Sequence, residues 1–115
     1  MKTRIISILM LCFFFLTNVE GKAAADNRCE NSKTKAKADL QKGKVNFLIL
    51  GGVVSTHVKG QEVFEQKYKL KYFDFGCVMP NDICIEDYNA TVAKYLDQTF
   101  GKQWRKEVRK DVKGI

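Results

Sequence analysis

Cys77, His57 and Asp74 are the residues whose types point most directly to chemistry: a thiol nucleophile, a base able to take its proton, and a carboxylate able to assist that base. His57 is the only histidine, so any acid–base pairing with a thiol has to use it. Whether the three meet depends on the fold, since their spacing does not bring them together. Cys29, Cys77, Cys84 and His57 are all zinc-ligand types, but no C-x₂-C pair occurs and the ligands are widely scattered, so no metal site is expected. Gly51-Gly52 sits where a phosphate-binding loop would. It lacks both the G-x-G-x-x-G spacing and a Gly-Lys-Ser/Thr ending, and a plain strand-to-helix turn accounts for it. Glu86-Asp87 fits the start of a helix, where negative charge complements the helix dipole, better than a carboxylate pair across a sugar cleft. No cofactor motif is present and no cofactor is expected.

A different kind of signal lies at the C-terminal end. On a helical wheel over 102–112, Lys102, Lys106, Arg109, Lys110 and Lys113 cluster opposite Trp104, Val108 and Val112. Such a basic amphipathic helix suits an anionic partner: an envelope membrane surface, an acidic polysaccharide or an acidic protein. The alternative is an ordinary solvated face over a packed helix. Nucleic acid is not expected, because the aromatic residues fall at core spacing and are not interleaved with the basic ones. Asn89-Ala90-Thr91 matches the glycosylation acceptor pattern, but it falls within a predicted helix and is taken as a chance match.

Met1-Lys2-Thr3-Arg4 followed by the apolar run Ile5–Leu16 has the layout of an export signal, with cleavage expected after Gly21 or as late as Ala25. The apolar run would span about 18 Å as a helix, well short of a hydrocarbon core of about 30 Å. Removal of 1–21 leaves about 94 residues, enough for one small core. It also lowers the net charge of +7 by one, through loss of Lys2, Arg4 and Glu20. The chain is therefore expected to be periplasmic or secreted, with no transmembrane span after processing. Cys12 leaves with the signal, so Cys29, Cys77 and Cys84 remain as disulfide candidates. An odd count implies one bridge with a spare thiol, an intermolecular bridge, or three reduced thiols. Cys77 and Cys84 flank the turn-rich stretch Val78–Ile83; Cys29 with either partner is the alternative, and spacing alone leaves the pairing open.

The elements that must position these residues follow from periodicity. Residues 22–37 are small, polar and charged and read as a flexible linker, with a short helix over 35–42 that Gly43 would end. Val45–Leu50 is a nearly unbroken apolar run stopped by Gly51-Gly52, as for a strand buried on both faces. Ser55 or Thr56 would cap a helix near 60–69 that groups Val63, Phe64 and Tyr68. A second strand over 71–78 alternates Phe73, Phe75 and Cys77 with Tyr72, Asp74 and Gly76. Strand, helix and strand at this spacing predict a parallel βαβ unit. Ile83–Ile85 would add a short third strand. Asp87 would cap a helix over 88–100 with the stripe Tyr88, Val92, Tyr95, Leu96 and Phe100, ended by Gly101, before the last helix. The expected fold is a single small α/β domain over 38–115, its short sheet covered by helices.

Val63-Phe64-Glu65-Gln66-Lys67-Tyr68, Tyr72-Phe73-Asp74-Phe75-Gly76-Cys77, Pro80, and Phe100-Gly101-Lys102-Gln103-Trp104 together resemble the FEKKY-domain family of small exported bacterial proteins. The resemblance spans about 38–115. It departs at Gln66, where the family name has lysine. The resemblance implies an exported domain without an assigned activity, so it supplies no catalytic residues. The expected function is a non-enzymatic binding or interaction module of the bacterial envelope. The alternative is a small periplasmic enzyme with Cys77 as nucleophile, and dimerisation through the spare cysteine is a third possibility.

Overall fold

The computed structural model describes residues 24–54 and 57–115. The expected export signal and the expected cap at Ser55 or Thr56 lie outside these residues. The elements run α1 (Ala24–Gln41), β1 (Asn46–Ile49), α2 (Gln61–Tyr68), β2 (Lys71–Asp74), α3 (Ile85–Phe100) and a 3₁₀ turn over Gln103–Lys106. β1 and β2 pair in parallel, with Asn46 opposite Lys71 and Ile49 opposite Asp74. The βαβ unit read from the sequence is thus present, in one small α/β domain of three helices and a two-stranded sheet. No described helix is long and apolar enough to cross a membrane.

Residues 22–37 are where the structure departs most from the sequence reading. From Ala24 onward they belong to α1 and are not a linker. Cys29, Ser32 and Ala36 recur at spacings of three and four, so they share one helical face. Ser32 and Ala36 are buried, and α1 packs along α3. Arg28 donates to the Asn81 carbonyl at 3.0 Å, and the Cys84 N–H donates to Ser32 Oγ at 2.8 Å. A helix with so little apolar surface is marginal alone; these contacts fix it.

Phe47, Leu48 and Ile49 are all buried, as an unbroken apolar run requires, but β1 is shorter than the expected Val45–Leu50, and Leu50 beyond its end is exposed. Phe64 stacks on Tyr72 with ring centroids 5.6 Å apart, and Trp104 meets Phe47 at 5.6 Å. α2 and the C-terminal segment therefore close one face of the sheet. Val63 is exposed, and α2 turns Phe64, Glu65 and Tyr68 inward instead. α3 buries Tyr88, Val92 and Leu96 and packs Tyr95 and Phe100 against the same core. Each large apolar side chain buried here contributes about 1.5–3 kcal/mol. Gly101 ends α3 at a φ of 72°, a value that glycine adopts without the Cβ penalty of other residues.

Three further expectations are corrected. Ile83–Ile85 forms no strand, because Cys84 is the N-cap of α3 and Ile85 its first residue, ahead of the expected Asp87 cap. β2 stops at Asp74 instead of reaching Val78, because the Asp74 carboxylate accepts the Gly76 N–H at 2.7 Å and turns the chain. The segment 102–112 is one 3₁₀ turn followed by irregular chain. Trp104, Val108 and Val112 are buried as expected, but so is Arg109. A regular helix would point Arg109 away from that face, so its burial requires the irregular path.

Candidate binding groove

The sheet has two outer edges, and a helix side chain closes each. The Asn89 amide, from α3, accepts the Leu48 N–H at 2.8 Å and donates to the Leu48 carbonyl at 2.8 Å and the Lys113 carbonyl at 2.9 Å. Glu65, from α2, accepts the Tyr72 N–H at 2.9 Å, with Lys71 at 3.5 Å from its other oxygen. These pairings block addition of a strand from another chain at those positions. They also exclude Asn89 as a glycosylation acceptor, since it is fully buried.

The residues proposed for thiol chemistry do not form a relay. Cys77 is a free, exposed thiol. His57 Nε2 lies 2.8 Å from Glu62 Oε1, and no hydrogen bond joins it to Cys77. Asp74 is committed to the turn at Gly76 and packs over Gly51, where an added Cβ would collide with its carboxylate. The bridge is Cys29–Cys84, with Cα atoms 5.0 Å apart, and not Cys77–Cys84. The N-terminal part of α1, ahead of the short helix read over 35–42, carries Cys29 to the N-cap of α3. Asp87 lies near both bridged sulfurs, but sulfurs joined to each other have no thiolate to offer a metal.

The basic cluster read on a helical wheel disperses. Lys102, Lys106, Lys110 and Lys113 are exposed on a 3₁₀ turn and irregular chain with no α-helical face to group them, and Arg109 is turned inward. Its Nε and Nη2 atoms donate to the two Asp111 oxygens at 3.0 and 2.6 Å, and Nη1 donates to Gln61 at 2.9 Å. The guanidinium also lies 5.3 Å from the Tyr72 ring centroid. The Asp111 hydrogen bond raises the pKa of Arg109, and the same bond holds that of Asp111 down. Burial pushes the Tyr72 hydroxyl up to about 12. These groups hold the C-terminal segment to the sheet.

A groove forms over the other face. Alternation and register place Asn46, Leu48 and Phe73 on one side of the sheet. α1 supplies one wall through Lys35 and Asp39, while Phe75, Asp82, Ile83 and Tyr88 complete a cavity of about 420 Å³. That is within the size range of small-molecule sites. Phe73 and Phe75 meet edge to face at 4.9 Å, yet Phe73 remains 51% exposed. Tyr88 donates to Asp39 Oδ2 at 2.8 Å, and its pKa is raised, first by burial and then by that bond. Lys44 and Asn46 also line a second cavity, of about 560 Å³, at the N-terminal ends of the strands with Glu65, Lys69 and Lys71. Lys69 has a φ of 52°. Sequence reasoning found the Phe73–Phe75 alternation but not this groove, because nothing local shows which part of a sheet face stays uncovered.

No family model, curated protein or solved structure matches this chain.

Proposed function

We propose that the chain is an exported, non-enzymatic binding module of the bacterial envelope whose ligand site is the groove over β2. The observation that carries this reading is Phe73: a large aromatic ring, half exposed in a concavity of ligand size, paired with Phe75 and flanked by lysines. Apolar walls with a few placed polar groups are the usual make-up of such sites. The Cys29–Cys84 bridge supports export, since disulfides persist in oxidising compartments. Membership of the FEKKY-domain family remains part of the proposal; Phe64, Glu65 and Tyr68 of that motif are scaffold residues, buried under the sheet.

Thermal-shift screening of small apolar and amphiphilic compounds tests the assignment. Compounds that stabilise the wild-type chain should lose that effect with Phe73→Ser, a change at a half-exposed position whose retained fold is read from its own cooperative thermal transition. Equal stabilisation of both proteins would remove the groove as the site. The thiol-enzyme alternative keeps an accessible Cys77, but among the described residues no hydrogen bond joins it to His57, which pairs with Glu62 instead. Binding unchanged in Cys77→Ser and His57→Ala is the outcome expected of a binding module.

A further inference from the structure

The groove is polarised along the strands. Lys44 and Asn46 stand at the N-terminal end, Leu48 and Phe73 in the middle, and Phe75, Ile83 and Asp82 toward the other end. Beyond Lys44 the adjoining cavity adds Lys69 and Lys71, while Glu65 there is engaged by the Tyr72 N–H and by Lys71. Asp39 lies at the same end, in the last turn of α1, and accepts from the Tyr88 hydroxyl, a neutral donor that leaves its negative charge in place, so the lysines of the groove, Lys35 and Lys44, exceed it by one charge. The ammonium groups of Lys35 and Lys44 enter no ion pair among the described residues. Positive charge at one end, aromatic rings along the floor and an acidic residue at the far end complement a chain with a single anionic head. Its charge should be one. α1 and α2 both finish at the N-terminal end of the sheet, and the partial negative charge of helix C-termini opposes any anion there, a dianion about twice as strongly as a monoanion. No arginine lines either cavity to grip a phosphate.

We infer that the groove takes a single-chain amphiphile with a carboxylate head, the head against Lys44 and the chain laid across Phe73 and Phe75. This rests on the groove being the binding site. Isothermal titration of the purified, disulfide-bonded chain with dodecanoate, dodecanol and dodecyl phosphate, each below its aggregation concentration, tests it. Dodecanoate should bind about tenfold tighter than dodecanol, and Lys44→Glu should remove that advantage without weakening dodecanol, because one ion pair in a partly dry site is worth about 1.4 kcal/mol. Phe73→Ser should weaken both. Equal affinity for dodecanoate and dodecanol, no effect of Lys44→Glu, or tighter dodecyl phosphate binding overturns the carboxylate assignment while leaving the groove standing. Binding that ignores Phe73→Ser removes the groove itself. Absence of dodecanoate binding by a wild-type chain that passes the thermal-shift test overturns the ligand class alone.

Discussion

The side-chain amide of Asn89 pairs with both backbone polar groups of Leu48, occupying the outer edge of β1 where a third strand would lie. A two-stranded sheet is marginal by itself, so this pairing bears directly on stability. Asn89→Ala leaves the Leu48 N–H and carbonyl without their partners, at about 1–3 kcal/mol for each buried group. Denaturant unfolding should show a loss of about 2–6 kcal/mol. Asn89→Asp should be no milder, because a carboxylate cannot donate to Leu48 and Lys113.

The Cys29–Cys84 bridge closes 55 residues of sequence. By loop-closure entropy its removal should cost about 4 kcal/mol. The paired substitution Cys29→Ser with Cys84→Ser should lower the unfolding midpoint accordingly. Amide exchange should accelerate first in α1, whose tie to α3 relies on the bridge and on Arg28 and Ser32. Equal stability of the double variant would contradict the bridge.

Lys69 caps α2 in the left-handed region, at a φ of 52°. A non-glycine residue there costs about 1–2 kcal/mol, and glycine relieves it while losing some entropy. Lys69→Gly should stabilise the domain by about 1 kcal/mol, read as a raised thermal midpoint.

Acid should weaken the fold through two carboxylates. Asp97 accepts from Arg105 at 3.0 and 2.8 Å and from the Trp104 indole at 3.1 Å. Hydrogen bonding from Arg105 lowers the pKa of Asp97, and that from Arg109 lowers the pKa of Asp111. A depressed folded-state pKa means the stabilisation is complete above the ordinary value of 3.8 and is lost as pH falls through the folded value. Thermal midpoints should therefore drop below that pH, and Asp97→Asn should flatten the drop. Tyr72 acts at the opposite extreme. Its pKa is raised from 10.0 to about 12, so its contribution is complete below 10.0 and lost as pH climbs through about 12.

The βαβ unit was legible because Val45–Leu50 and Lys71–Val78 carry strand patterns on either side of a helical one, though both strands are shorter than those patterns. The end of α1 was legible as the short helix over 35–42 before Gly43, but its beginning was hidden because Cys29 and Ser32, which pack there, are small residues with little hydrophobic signal, and its stability comes from α3 and the bridge. Arg109 misled in the opposite way. Its spacing fits a solvated helical face, yet Asp111, Gln61 and Tyr72 draw it inward, and the four-residue rhythm of Trp104, Val108 and Val112 is satisfied by irregular chain. The groove depended on knowing that α3 lies along the outer edge of β1, with Phe73 left half exposed, and no local pattern encodes that.

The most direct test of the groove is chemical-shift mapping by NMR on the purified, disulfide-bonded chain titrated with dodecanoate. Perturbations are predicted at Leu48, Phe73, Phe75 and Tyr88 and at the Lys44 backbone amide, and they should vanish in Phe73→Ser. Shifts confined to the Gly52–Val54 and Cys77–Met79 loops, or unchanged by Phe73→Ser, would contradict the account.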